Sequence, residues 1–347
     1  MGENSKTAVT QDAVADKARH GALGTLGRFM GSGLGGAVAI LIVLIAVFSI
    51  LEPSYLSVGN LTNILRQYSF ILILAVGQTM VIITAGIDLS VAATAALAGS
   101  VMGVTYAHAG LPSWLAIGLG LLSGFVIGLF NGLAITMWKV PDIIVTLGSL
   151  TAVRGVALVV TDGLPVPNYS HSVEGRRMPP AIEFLGTADV GGIPLIILVA
   201  ALCCVAGWYV LNRTRLGRSI VAVGGNQEAS RVSGINVSRI KVSVYAMSGL
   251  LAGIGGLVLA GRLNSANALS ADGNELDTIA AVVIGGAALF GGEGRVSGTI
   301  VGVFIMGVLS NGLNMMGVSD FWKRIINGLI IIVVVAVDQW RRRRAAA

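Results

Sequence analysis

The chain has 347 residues, a net charge of +6 and a mean hydropathy of +0.84. Charged residues make up only 12%, against about 25% in soluble domains, too few for the polar shell a soluble core of this size needs. The apolar residues come in long runs joined by short polar stretches, the pattern of an integral membrane protein. Positive charge here does not point to nucleic acid. No aromatic-basic face is present, and the lysines and arginines follow membrane topology.

Residues 1–32 read as a polar cytoplasmic tail. The first apolar run, Gly33 to Leu51, is closed by Glu52-Pro53 and preceded by Arg28. It is too long for a cleavable signal core, and no small-residue cleavage site follows, so it reads as a retained helix. The remaining candidate spans are 68–84, 89–107, 113–138, 142–160, 193–211, 241–262, 276–290, 297–317 and 321–337. The predicted fold is therefore all-α and polytopic, with about ten transmembrane helices and a permease domain over 33–338. Segments 68–84 and 276–290 are short and bounded by glycine-rich breaks. A basic cytoplasmic tail, 339–347, closes the chain.

With the N-terminus inside, sixteen of the 23 lysines and arginines fall on the cytoplasmic side. That bias sets the orientation and places both termini in the cytoplasm. Two joints exceed simple turns. Residues 161–192 fall outside as a periplasmic loop, and residues 212–240 fall inside.

The halves echo each other. Asp88-Leu89-Ser90-Val91-Ala92-Ala93 opens one span, and Leu276-Asp277-Thr278-Ile279-Ala280-Ala281 opens another. Ser123-Gly124 and Asn131-Gly132-Leu133 likewise match Ser297-Gly298 and Asn311-Gly312-Leu313. The offset of five spans inverts one copy, giving an inverted internal repeat of the kind found in transporters. Gly120, Gly124, Gly128 and Gly132 form a small-residue stripe that predicts close helix packing. Gly249 with Gly253, and Gly294, Gly298 and Gly302, predict the same elsewhere.

No catalytic constellation is visible. His20, His108 and His171 are scattered, and no phosphate-loop motif exists. Gly291-Gly292-Glu293-Gly294-Arg295 lacks the lysine and hydroxyl of a nucleotide site. Cys203 and Cys204 are adjacent on a helix, point in different directions, and carry no metal or redox signal. The chain is expected to hold no metal and no cofactor of its own.

In the inner loop, Asn226 can cap a short helix from Gln227 to Ser233 that ends at Gly234. The residues alone fit equally a knob for a cytoplasmic partner or a solvated basic loop. Asp88 and Asp277 fit either a polar path or helix N-caps. Arg154 lies mid-span and is either paired or snorkelling, with Asp142 and Asp162 as possible partners. Gln78, Asn131, Asn311 and Asn314 fit a sugar path or interhelical bonding. Arg66, Arg262 and Arg324 fit outer docking contacts or ordinary surface charge.

From about Glu52 to Asp338 the chain resembles the permease subunits of bacterial ATP-binding-cassette importers for monosaccharides, of the ribose type. The resemblance rests on Ala85-Gly86-Ile87-Asp88-Leu89-Ser90-Val91, Thr214-Arg215-Leu216-Gly217-Arg218, Gly224-Gly225-Asn226 and Ser233-Gly234-Ile235-Asn236-Val237. Tyr245 to Ala252, Glu275 to Val283 and Asn311-Gly312-Leu313-Asn314 extend it. It implies a type II importer fold in the bacterial inner membrane and a homodimer, with a second permease copy beside this one in membrane lipid. It implies a cytoplasmic ATP-binding subunit that holds ATP and magnesium, and a periplasmic sugar-binding protein. Gly224, Gly225, Asn226, Gln227, Glu228, Ala229, Ser230, Arg231, Ser233, Gly234 and Ile235 become the ATPase-coupling segment. The carried sugar stays open, since ribose, xylose, arabinose, galactose, inositol and autoinducer permeases look alike at these motifs. An ion- or proton-coupled secondary transporter is the rival reading, and a membrane scaffold the second.

Overall fold

The computed structural model describes residues 33–168 and 171–346, so the polar tail of residues 1–32 lies outside the described residues. The fold is almost wholly helical. Helix α1 is Gly33–Leu51, α2 Val58–Ile83, α3 Val91–Ala107, α4 Ser113–Trp138 and α5 Asp142–Val160. The long joint that follows holds one 3-10 turn, Val173–Gly175, helix α6, Pro180–Thr187, and a small antiparallel pair, β1 Asp189–Val190 and β2 Ile193–Pro194. Helix α7 is Leu195–Arg213, α8 Arg215–Gly225, α9 Gln227–Val232 and α10 Val237–Leu263. Helices α11, Asn274–Ile284, α12, Val296–Met315, and α13, Asp320–Ala346, complete the chain.

Among the described residues seven helices are long and apolar enough to cross a membrane: α1, α2, α4, α5, α7, α10 and α12. Helix α3 is apolar but shorter, and α11 spans only 11 residues. The predicted 276–290 is therefore half helix. Gly285 and Gly286 stop it, because Gly286 sits at φ +89°, which costs least without a Cβ. The predicted 68–84 is too short at its start. Polar residues hid one more helical stretch, which Ser57 caps by accepting from the Asn60 amide at 3.3 Å.

Helix ends follow local chemistry. Lys139 leaves α4 in the left-handed region (φ 53°), and Pro141 then opens α5 with Asp142 in the first turn. Helices α2 and α10 form the centre of the bundle. They are apolar around most of their surface and buried along most of their length, while α1 exposes Ile42, Val43 and Ile50. The glycine stripe packs as predicted. A Cβ on Gly124 would come within 2.6 Å of the Gly249 carbonyl oxygen on α10, and one on Gly132 within 2.7 Å of Val242 Cα. Gly302 likewise lets α12 press against the Ala281 carbonyl of α11.

Candidate functional site

The chain breaks between α2 and α3 at Ala85-Gly86-Ile87-Asp88, and between α11 and α12 at residues 285–295. Both breaks are built by specific side chains. Ala85 adopts φ 59°, rare for a residue with a Cβ. A Cβ on Gly86 would lie 2.6 Å from Asp142 Oδ2 and 2.7 Å from the Tyr245 hydroxyl, so a larger residue there would have to displace this pair. The Tyr245 hydroxyl donates to Asp142 Oδ2 at 2.9 Å, and Lys241 Nζ donates to the same carboxylate at 3.0 and 3.2 Å. Thr146 Oγ1 donates to the Ile87 carbonyl at 3.0 Å.

Asp88 is fully buried and does not cap α3. Its Oδ1 accepts from the Ser90 amide at 2.9 Å and from Ser90 Oγ at 2.7 Å, and Ser248 Oγ reaches Oδ2 at 3.3 Å. The capping position itself is Ser90. Asn131 Nδ2 on α4 donates to Ser90 Oγ at 2.9 Å, and Ser149 Oγ on α5 donates to Asn131 Oδ1 at 2.5 Å. Gln78 closes the ring from α2, its amide nitrogen donating to the Asp88 carbonyl and its oxygen accepting from the Asp88 N–H, both at 3.2 Å. Gln78, Asp88 and Asn131, separate in sequence, thus form one buried polar cluster that ties four helices to the first break.

The short helix α9 stands where the sequence puts it. Asn226 Oδ1 accepts from the Ala229 amide at 2.9 Å, Ser233 ends the helix, and Gly234 turns the chain at φ +82°. Asn236 then caps α10 by accepting from the Arg239 amide at 3.0 Å. Glu228 and Arg231 pair at 3.3 Å on the exposed face, and Val232 is 84% exposed. Gln227 precedes them in the first turn, and Ser230 is the residue that faces inward. Below this knob the chain is closely packed. A Cβ on Gly224 would overlap the Ile83 carbonyl oxygen and approach the Gly292 amide nitrogen to 2.5 Å. That Gly292 amide donates to the Ile83 carbonyl at 2.9 Å. A Cβ on Gly291 would sit 2.7 Å from the Gly224 carbonyl and 2.8 Å from Ala85 Cβ. The last turn of α8, from which α9 projects, and both helix breaks therefore meet at one point. Gly225 and Ile235 flank this knob.

At the opposite end of the bundle, Asp277, Arg262 and Arg324 line one polar cavity of about 310 Å³ with Tyr68, Asn274, Ser310, Lys323 and Asn327. Asp277 is not a cap either. It lies one turn into α11, behind Gly273, and accepts from Asn327 Nδ2 at 3.0 Å and Asn274 Nδ2 at 3.4 Å. Lys323 pairs with Asp320 and donates to Asn314 Oδ1 at 2.8 Å. Arg154 is paired, with partners the sequence did not point to. It meets Asp272, with Glu275 3.8 Å away, while Asp142 belongs to Lys241. Arg66 bonds Asp189 of β1 at 3.1 Å. Asn311 and Asn60 exchange amide hydrogen bonds at 3.0 and 3.1 Å, which tie the start of α2 to α12.

Sequence reasoning missed Tyr68, Ser310 and Asn327, and the Asp142–Lys241–Tyr245 cluster. The latter had a signal, because an acidic residue after Pro141 and a lysine inside an apolar run both ask for a partner.

Compared with known proteins, residues 60–335 match the family described as branched-chain amino acid transport system, permease component. The chain is 42% identical over 301 residues to the ribose import permease protein of Haemophilus influenzae, covering 86% of this chain and 91% of that one. It is 41% identical over 323 residues to the ribose import permease protein of Bacillus subtilis, covering 92% and 94%. The xylose transport system permease protein of Escherichia coli is 36% identical over 346 residues, covering 85% and 88%. No solved structure matches the chain.

Proposed function

Because the chain belongs to the permease-component family of branched-chain amino acid transport systems, we propose that it is the membrane permease subunit of an ATP-driven importer for a pentose-like sugar. The relatives named for ribose and xylose import support the substrate class. The chain carries out no chemistry in this reading. ATP and magnesium bind a separate cytoplasmic ATPase, a periplasmic binding protein delivers the sugar, and a second copy of the chain completes the pathway.

In this proposal the α9 end faces the cytoplasm, the Arg262 end faces outward, and both termini are cytoplasmic, as positive-inside counting favours. Helices α1–α5, α7 and α10–α13 make about ten crossings, two inverted sets plus two extra helices, with the segments opening at Asp88 and at Asp277 as counterparts. Residues 33–338 form the permease domain, with 1–32 and 339–347 as tails. Residues 212–240 are the coupling loop and 161–192 the periplasmic loop. Arg66, Arg262 and Arg324 lie where a binding protein would dock. Gln78, Asp88, Asn131, Arg154, Asp277, Asn311 and Asn314 border the route.

One observation carries the reading: the last turn of α8, directly before α9, touches both helix breaks through Gly224. A push on the exposed Gly225–Ile235 knob therefore reaches both halves at once, and packed elements with discrete arrangements can convert such a push into a change of access. A hollow of about 340 Å³ beside Arg231, Gly234 and Ser238 offers the ATPase a grip. The test is ATP hydrolysis by the ATPase in nanodiscs containing the permease. Sugar-loaded binding protein should stimulate it several-fold, and no stimulation would contradict the proposal.

A further inference from the structure

Asp88 and Asp277 differ in one respect that bears on ligand binding. Asp88 is closed in on all sides, its carboxylate taken by Ser90 and Ser248. Asp277 faces an open cavity of about 310 Å³, the lower end of the range that holds compact organic ligands, ~300 Å³ and above.

The cavity wall is chemically mixed. Asp277 offers an anionic acceptor that, among the described residues, receives the amides of Asn327 and Asn274. Arg262 lines the same cavity, and its Nε is buried without a hydrogen-bond partner. A buried donor left without an acceptor is costly, so a ligand that supplies an acceptor there is favoured. Ser310 adds a hydroxyl, and the buried Tyr68 adds an aromatic ring. The lining carries both signs, Asp277 and Asp320 with Arg262, Lys323 and Arg324, so a bare anion meets carboxylates and a bare cation meets like charges. A neutral polyol meets neither objection, because each hydroxyl both donates and accepts.

We infer that the cavity bounded by Arg262, Asp277, Asn327 and Ser310 is a receiving site for a neutral monosaccharide within the permease itself. The inference rests on the sugar-permease reading and adds a defined place where the sugar is held after delivery. Asp277 and Asn327 orient ring hydroxyls, Arg262 donates to a ring or hydroxyl oxygen, and Tyr68 covers an apolar face.

The test uses Ser310→Cys in a Cys203→Ala, Cys204→Ala background, in proteoliposomes that also hold the ATPase partner. A small hydrophilic thiol reagent labels position 310 while D-ribose, D-xylose or a hexose is titrated in. Labelling should proceed without sugar and slow several-fold with a pentose. Arg262→Gln and Asn327→Ala should each abolish that protection without stopping the labelling. Asp277→Asn should do the same, and the other two variants carry the test if it fails to insert. No protection by any sugar, or no labelling at all, would overturn the site. So would protection by sugar-free binding protein with none by free sugar, which would make this a docking surface. Uptake separates the two levels. If ATP and binding protein drive sugar uptake without protection at 310, only the site falls. If no sugar is taken up at all, the permease reading falls with it.

Discussion

Lys241 on α10 reaches across to Asp142 at the start of α5, and the two are 3.0 Å apart with both side chains largely buried. Tyr245, one helical turn further along α10, donates to the same carboxylate at 2.9 Å. Asp142 and Tyr245 occupy the space a Cβ on Gly86 would need, so the cluster packs directly against the break before α3. Removing one member of a buried pair leaves the other charge uncompensated, typically a loss of 3–5 kcal/mol. Asp142→Asn and Lys241→Gln should each lower the thermal midpoint of the purified permease markedly, and the double variant should recover part of the loss. If the double variant falls by the sum of the singles, Asp142 and Lys241 are not an interacting pair.

Asn226 caps α9 and positions the knob above Gly224. Asn226→Ala should cost about 1 kcal/mol locally and weaken ATPase association, with membrane insertion unchanged. Glu228→Arg and Gly234→Pro should reduce association or coupling more strongly, since the first reverses an exposed charge and the second forces a residue at φ +82° into a ring that holds φ negative. Co-purification of the ATPase and uptake rates check this, and normal values for both variants would remove the coupling role of α9.

Gly224 is a steric requirement. Any Cβ there overlaps the Ile83 carbonyl oxygen, so Gly224→Val should separate the end of α8, and with it α9, from the two breaks. The expected cost is roughly 1–3 kcal/mol, as for other overpacked sites, together with loss of ATPase stimulation. Gly225, where a Cβ meets nothing within 4 Å, is the matched comparison. Gly225→Ala should keep full stability.

His108 sits just past α3, its ring 5.9 Å from that of His171. Its Nε2 accepts from the Asn168 amide at 3.4 Å. Burial, and then His171, hold its pKa below the ordinary 6.5. The folded state thus favours the neutral ring, and that stabilisation is present above pH 6.5 and is lost as pH falls through the lowered folded value. Proteolysis within 161–192 should quicken as pH drops below 6.5, and His108→Gln should flatten that dependence. A wild-type rate that stays constant from pH 7 to 5 would contradict the assignment.

Much of the fold was legible because long apolar runs have few alternatives. The bounds of 113–138 and 142–160 are identical in sequence and structure, since Pro112 and Pro141 punctuate them. The α9 knob was legible for a similar reason, because Asn226 and Gly234 are local signals. The polar residues were harder to place. Asp88 and Asp277 look alike at the start of similar runs, yet one is sealed by Ser90 and Ser248 and the other lines a cavity. The local partners Ser90 and Asn274 do not decide the difference, which comes from α10 and α13 packing against the two carboxylates. The partner of Arg154 was hidden for the same reason. Asp272 is distant in sequence and is delivered by the turn before α11.

The most direct measurement of the whole account is uptake of labelled pentose into proteoliposomes carrying this chain, its ATPase and its loaded binding protein. Uptake should require ATP hydrolysis, persist when ion gradients are dissipated, and stop when the binding protein is left out. Uptake driven by an ion gradient in the absence of ATP would contradict it.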